Sequence, residues 1–413
     1  MESKKCKFNG CDREALENSE YCVLHESFDR RSKDEIERLA DAKLERFLKE
    51  IEEGQTNFEG CILPGVDLSE KTLKGFNFED RKFEGVVDFT DSIFGGEVSF
   101  KNCIFTDEVY FENTEFREKV SFEDAKFKEY ANFIGATFNK EADFKLAIFN
   151  DVSFYDAKFK DVALFNEAEF NGFVRFEGGN DNPVFYSEVE FNDVSFKKPD
   201  EVEFIKVDLS KASFINANIE DVRFIDVKWE GKGRIFRRKA IYDEILIDKG
   251  EFEDYELVAD VYRRLRASYE KRLQYPYAGD FYIGEMEMKR KNAKFRGKPV
   301  KNRFFRFILQ NFSLTAFYKY FSLYGENYWL PLIWVLSTIV FFGYVFKLIG
   351  IHNPWVASML TFFQMPPKYI EAQLESNLLL STVVISERLA GVLFMALFVL
   401  ALRRKFKKTS AEE

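Results

Sequence analysis

Phenylalanine recurs at Phe100, Phe105, Phe111, Phe116, Phe122, Phe127, Phe133, Phe138, Phe144 and Phe149, in steps that alternate five and six to give a composite period of eleven. The register runs back through Phe94, Phe89, Phe83, Phe78, Leu73, Leu68, Leu63 and Phe58, and forward through Phe154, Phe159, Phe165, Phe170 and Phe176. It breaks at Gly178-Gly179-Asn180-Asp181-Asn182-Pro183, resumes at Phe185, Phe191 and Phe196, breaks again from Lys197 to Asp200, and closes with Phe204, Leu209, Phe214, Ile219, Phe224 and Trp229. A helix has no strict period of five, so this internal repeat constrains the fold more than any other feature. Two residues before most of these positions stands a smaller one, such as Val98, Cys103, Val109, Thr114, Ala125, Ala136, Ala147 and Ala217. A large and a small residue therefore point the same way in each short segment. The residues between them are mostly Asp, Glu, Lys and Asn.

This large/small pair every five residues resembles the pentapeptide-repeat family, in segments such as Ala125-Lys126-Phe127 and Ala217-Asn218-Ile219, and the resemblance extends from Phe58 to Trp229. The sequence departs from the family in its preference for Phe and in the regular sixth residue. The resemblance implies a mainly β chain built on a right-handed quadrilateral β-helix, one pentapeptide per face and four faces per coil. About 32 faces correspond to roughly eight coils whose rungs repeat the same apolar contacts. Open coil ends invite edge-to-edge association. The amphipathic segment 33–54, with Ile36, Leu39, Leu44, Leu48 and Ile51, is expected to cap one end, and helical sequence after Gly233 the other.

The ladder accounts for more than half of the 49 Phe residues, whereas the chain holds only two His. Acid–base chemistry near neutral pH most often uses His. No P-loop, dinucleotide-binding glycine pattern, HExxH or nucleophile elbow occurs, and the chain reads as a non-enzyme. A net charge of −10 argues against direct nucleic-acid binding by the rod.

Cys6, Cys11, Cys22 and His25 form a C-x4-C-x10-C-x2-H pattern, with Gly10 suited to a tight turn before Cys11. Four such ligands within a short segment match a closed, structural Zn²⁺ site, resembling small treble-clef or knuckle-like modules. Cys61 and Cys103 fall on small inward positions of the repeat, where Cys serves as a small hydrophobe.

Two apolar runs follow, Tyr328 to Ile349 and Leu378 to Leu402, each long enough to cross a bilayer. Between Lys289 and Arg306 nine Lys or Arg occur without an acid, and Arg403-Arg404-Lys405 closes the second run. Both outer flanks are basic, and the amino end is polar and basic without a secretory signal. The expectation is two spans of a cell membrane with both termini in the cytosol. Lys289, Arg290, Lys291, Lys294, Arg296, Lys298, Lys301 and Arg303 are expected to meet anionic lipid headgroups.

Tyr324-Gly325-Glu326 before the first run, and Glu387-Arg388-Leu389-Ala390-Gly391 leading into the end of the second, resemble the two-helix, pore-loop module of potassium-type channels. The segments Tyr262 to Leu265 and Gly284 to Arg290 look like its connector. That resemblance implies a homo-oligomer, by analogy a tetramer. The chain departs from it at the filter, since no Gly occurs between Gly350 and Gly391. In its place stands Trp355 to Gln364, a short re-entrant helix stopped by Pro366-Pro367, with Thr361, Phe362, Phe363 and Gln364 as the candidate pore segment. Glu387 and Arg388 read either as an intersubunit pair or pore-mouth ring, or as side chains snorkelling to the outer headgroups.

The chain is thus expected to divide into a zinc module (1–30), a capping helix (31–55), the β-helix (56–230), a helical connector with a basic juxtamembrane stretch (231–300), an interfacial amphipathic segment (301–327), a two-helix module with a re-entrant segment (328–405) and a cytosolic tail (406–413). Two functions fit: an atypical or non-selective oligomeric channel, or a non-conducting membrane-tethered platform offering the β-helix to a cytosolic protein partner.

Overall fold

The computed structural model describes residues 4–8, 11–27, 31–53, 61–67, 72–73, 76–179, 183–233, 236–292, 294–295, 298–299, 302–374 and 377–409. Of the positions singled out in the sequence, Phe58, Leu68, Gly10, Asn180 to Asn182, Arg296 and Lys301 lie outside these. The chain forms two compact units, Met1–Lys271 and Arg272–Glu413. The segment 231–300 is divided between them.

The first unit is a β-solenoid. The strands of its coils pair in parallel with their counterparts in adjacent coils, in ladders such as Lys82↔Ile104, Ile104↔Lys126 and Lys126↔Ile148. A regular coil thus takes 22 residues, two of the eleven-residue units, as in the step from Phe105 to Phe127. Phe rings fill the interior in four columns, beginning at Phe78, Phe83, Phe89 and Phe94. Within a column, ring centroids lie between 4.5 Å (Phe138–Phe159) and 5.4 Å (Phe204–Phe224) apart. Opposite columns meet edge to face across the interior, as at Phe133–Phe144, where the planes cross at 90°, and neighbouring columns do so at Phe116–Phe122. The rung spacing of a β-ladder, about 4.8 Å, is also a comfortable ring-stacking distance. Backbone pairing and aromatic packing therefore demand the same repeat.

The alternation of five and six has a backbone cause. At the five-residue steps that open at Phe78, Phe89, Phe100, Phe111, Phe122 and Phe133 the second residue after Phe is left-handed: Asp80, Asp91, Asn102, Asn113, Asp124 and Gly135 have φ between 54° and 67°. The third residue then donates its N–H back to the Phe carbonyl, as in Cys103 to Phe100 at 3.1 Å and Ala125 to Phe122 at 3.0 Å. This is a type II turn, whose third position favours Gly, Asn and Asp. The residue before Phe adds a second local bond: Asp88, Asn132 and Asp143 accept from the backbone N–H two residues on, at 2.8–3.0 Å.

The longest face formed entirely by two-residue strands has seven rungs, hence six turns. That is fewer than the roughly eight counted from the sequence. Phe159 stacks on Phe185 and Phe170 on Phe196, so the coil holding the 178–183 break absorbs extra residues, and the first steps of the register lie outside the described residues. The strain of accommodating the break is local: these two ring pairs tilt by 27° and 24°, against 1–13° elsewhere in the columns.

Helices close both ends. Helix α1 (Lys33–Glu52) packs on the first strand, Ile62–Asp67, and buries Phe47. Arg81, fully buried, lies over the rings of Phe47, Phe78 and Phe83 at 4.8–5.6 Å. At the far end come α2 (Tyr242–Lys249) and α3 (Tyr255–Lys271). From α3, Tyr269 stacks on Phe224 and accepts the indole N–H of Trp229 at 2.9 Å, while Ser268 donates to the Val222 carbonyl at 2.7 Å.

The second unit is helical: α4 (Tyr275–Lys291), α5 (Arg303–Phe312), α6 (Leu314–Ser322), α7 (Trp329–Ile349), α8 (Pro354–Phe362), α9 (Lys368–Glu371) and α10 (Leu378–Thr409). Two are long and apolar enough to cross a membrane, α7 with 21 residues and the 28-residue segment Leu378–Lys405 of α10. Gly350, at φ 85°, ends α7 and turns the chain back, and Pro354 opens α8.

Phe122 stacks at 4.9 Å on both Phe100 and Phe144. Phe122→Ala is expected to cost about 3–5 kcal/mol through the cavity left in the column, read as a fall in the urea unfolding midpoint of the first unit. At Asp124, with φ 56°, Val should cost about 1–2 kcal/mol in backbone strain, and Gly should cost less.

Candidate functional site

Three constellations carry chemistry, and each lies within one unit. The first is the Cys/His cluster. A short bridge, Lys5 with Glu14, and a turn at Cys22-Val23-Leu24-His25 bring Cys6, Cys11, Cys22 and His25 together, with all four ligand atoms within 4.8 Å of one another. Nδ1 of His25 is 3.2 Å from Sγ of Cys22 and 3.5 Å from Sγ of Cys6, and the Sγ atoms of Cys11 and Cys22 are 3.8 Å apart. Cys6, Cys22 and His25 are buried. This Cys3His group is able to hold a metal ion. Phe8 stacks on the His25 ring at 4.2 Å, the Cys22 backbone N–H donates to Cys6 Sγ at 3.2 Å, and Arg13 reaches Cys11 Sγ at 3.7 Å while pairing with Glu50 of α1 at 2.6 Å.

Sequence reasoning passed over two partners of this cluster. Sγ of Cys61, fully buried, lies 3.6 Å from the second ring nitrogen of His25, Nε2. Lys43 of α1, also fully buried, donates to the carbonyls of Leu24 at 3.3 Å, Glu26 at 2.5 Å and Ile62. Burial pushes its ammonium down to about 8. The apolar spacing of α1 offered no sign that a Lys on it would face inward.

The second constellation lies where α4, the turn after α6 and the end of α10 meet. Tyr324, buried at φ 58°, donates to Glu287 Oε1 at 2.5 Å. Arg290 and Lys319 hold Glu287 Oε2 at 2.9 and 3.0 Å. The Tyr324 carbonyl accepts from Arg404 at 2.6 Å, and that guanidinium also lies over the Tyr282 ring. Gly325, at φ 80°, leaves no room for a Cβ beside Tyr318. Burial alone would push the Glu287 carboxyl up, but the bonds from Arg290 and Tyr324 and the charges of Arg290 and Lys319 outweigh it and hold it at about 2.

The third is α8 itself. It runs back along α7: Trp355 packs where Gly343 lacks a side chain, Ser358 donates to the Ile339 carbonyl at 2.8 Å, and Phe362 clusters with Val335. Ile339 is the middle residue of α7, so this short helix descends past the midpoint of the longer one. Against α10, Ser358 donates to Glu387, and a Cβ on Gly391 would lie 2.4 Å from the Phe362 carbonyl. Small residues on both long helices create the slot. After Phe363 comes Gln364 at φ 70°, whose amide donates to the Arg388 carbonyl at 3.0 Å.

Of the candidate pore residues, Thr361 and Phe362 are buried and Phe363 is exposed. Glu387 is fully buried against Ser358, at the level of Ile339, and no ion pair joins it to Arg388 among the described residues. Ser358 was not singled out in the sequence, although it lies one turn before Thr361 on the same helical face. Among the basic residues, Lys289 pairs with Glu285 at 2.6 Å, Arg290 with Glu287, and Lys291 offers its carbonyl to Gln310 at 2.7 Å. Lys294 and Lys298 lie on a two-stranded hairpin, and Arg303 is exposed at the start of α5.

Residues 72–115 and 100–148 match the family model described as pentapeptide repeats (9 copies), so over these residues the β-solenoid is built of pentapeptide repeats. No curated protein matches the chain.

A carboxyl held below its unfolded value, near ~4.3, stabilises the fold fully above that pH and loses its effect as pH falls toward about 2. Glu287→Gln should therefore lower the thermal midpoint at pH 7, with the difference from wild type shrinking below about pH 4.

Proposed function

We propose that the chain is one subunit of an oligomeric membrane pore of atypical selectivity, with a zinc-capped β-helix on the cytosolic side. The observation that carries this reading is the half-length helix α8, seated between two apolar helices and reaching past the middle of α7 before the chain turns at Gln364. Irregular backbone at such depth is tolerated in a membrane only where it is buried in protein or lines a water-filled cavity. Phe363 and Met365, both exposed in the single chain, then face a neighbouring subunit or the pore. Helix α5 supports membrane placement. It ties its Gln310 to α4 and turns Phe304, Phe307 and Phe312 outward, as a helix lying at the bilayer surface does. Arg303, exposed at the start of α5, suits headgroup contact, whereas Lys289 pairs with Glu285 and Arg290 with Glu287.

Without a glycine between α8 and α10 the chain lacks the backbone freedom of a carbonyl cage for K⁺. That absence also supports a second reading, a non-conducting anchor presenting the β-helix to a cytosolic protein. Reconstitution in planar bilayers separates the two. A pore gives ohmic, protein-dependent currents, altered by Gln364→Ala and abolished by Gly391→Val, which pushes α8 out of its slot. A silent bilayer with an ordered, plugged oligomer selects the anchor.

The metal is zinc. A tetrahedral ion with Zn–S near 2.3 Å and Zn–N near 2.0 Å puts sulfurs about 3.8 Å apart and sulfur and nitrogen about 3.5 Å apart. The 3.8 Å between Cys11 and Cys22 and the 3.2 and 3.5 Å to His25 suit such an ion. Four protein ligands leave no open position, so the role is structural. Purified protein should carry one zinc per chain by elemental analysis, and Cys22→Ser should lose it. Unchanged stoichiometry in that variant would exclude the site.

A further inference from the structure

We infer that Cys61 is a positioning residue for the metal ligand His25, and that through it metal occupancy governs the order of the first rung of the β-helix. This rests on the zinc reading above. His25 turns Nδ1 toward Cys6 and Cys22, so a metal held there leaves the proton on Nε2. Nε2–H then donates to Cys61 Sγ, 3.6 Å away. A metal-bound imidazole commonly has such a partner on its other nitrogen, which fixes the ring plane and raises the basicity of the ligating atom.

Cys61 is also the residue immediately before the first strand, Ile62–Asp67. Four further bonds run in parallel with the Cys61 contact. The Ile62 N–H donates to the Leu24 carbonyl at 2.8 Å, between the ligands Cys22 and His25 in sequence and the strand in space. Lys43 clamps the carbonyls of Leu24, Glu26 and Ile62 from α1. The backbone of the ligand turn thus serves as a partial rung above Ile62, occupying bonds that an open coil end would expose. The ligand turn keeps this shape only while its Cys and His are gathered on one ion, because the module is too small to hold a core of its own.

The register shows that Cys61 is replaceable without steric conflict. The same inward column continues as Arg81, Cys103, Ala125 and Ala147, so Ala is native to it three coils further on. If Cys61 were only a small hydrophobe, Ala would leave the metal untouched.

The test compares wild type, Cys61→Ala and Cys61→Ser as full-length protein in detergent. The readouts are zinc affinity by chelator competition, the thiolate-to-metal charge-transfer band after Co²⁺ substitution, and amide exchange over residues 62–67 with and without chelator. The expected result is one metal per chain in all three and an unchanged three-thiolate band. Affinity should be about 10–100-fold weaker in Cys61→Ala, with partial recovery in Cys61→Ser. Chelator should raise exchange at 62–67 in wild type at least tenfold while leaving residues 120–150 protected. Equal affinity in wild type and Cys61→Ala would overturn the inference while the zinc site stands. Loss of one thiolate's share of the band in both variants would make Cys61 a ligand and overturn it equally. A wild type that binds no zinc would overturn the site and the inference together.

Discussion

Every rung of the first unit depends on a coincidence of lengths. Parallel strands in a ladder sit about 4.8 Å apart, and offset-stacked or parallel aromatic rings are favourable at the same separation. A Phe placed inward on one coil therefore finds its counterpart directly above, with the backbone bond and the ring contact made in a single register. A slip by one residue would break both at once. Edge-to-face contacts between columns then fill the space that stacking alone would leave open, across the interior at Phe133–Phe144.

The ends are where this arrangement runs out, and the two solutions differ chemically. At the far end, Tyr269 lies on Phe224, Trp229 is satisfied by a hydroxyl, and the buried Arg238 is paired with the carboxylate of Glu244 at 2.5 Å. At the near end, cations are buried among rings and carbonyls. Arg81 sits among three rings and Lys43 among three carbonyls, beneath a cluster whose thiolates would carry negative charge when gathered on an ion. A metal–thiolate group bearing net negative charge and a set of buried cations offset one another's cost of leaving water.

Much of this was readable before any coordinates. The ladder of Phe with its smaller inward partners follows from period alone, because side chains that repeat must meet something that repeats. The four residues of the Cys/His cluster were legible from residue type and spacing, and the two long helices from length and apolarity. The corner chemistry was present but passed over: Asp, Asn or Gly two residues after Phe78, Phe89, Phe100, Phe111, Phe122 and Phe133 marks the left-handed turn position. Contacts between distant segments left no local trace. Nothing near Cys61 in the chain points to His25, and nothing near Glu387 points to Ser358. Those pairings arise only when the cap settles on the first coil and α8 slides into its slot.

The closed stack also sets how such a molecule can change length. With both ends covered by dedicated helices, added residues have two destinations. A whole turn of about 22 residues inserts another rung and carries one cap outward with it, leaving every other contact as it was. A shorter insertion adds no rung and only lengthens one coil, as between Phe159 and Phe185, at the expense of two tilted ring pairs. Reach is therefore quantised, and each step displaces the Cys/His cluster by one rung height relative to the far cap.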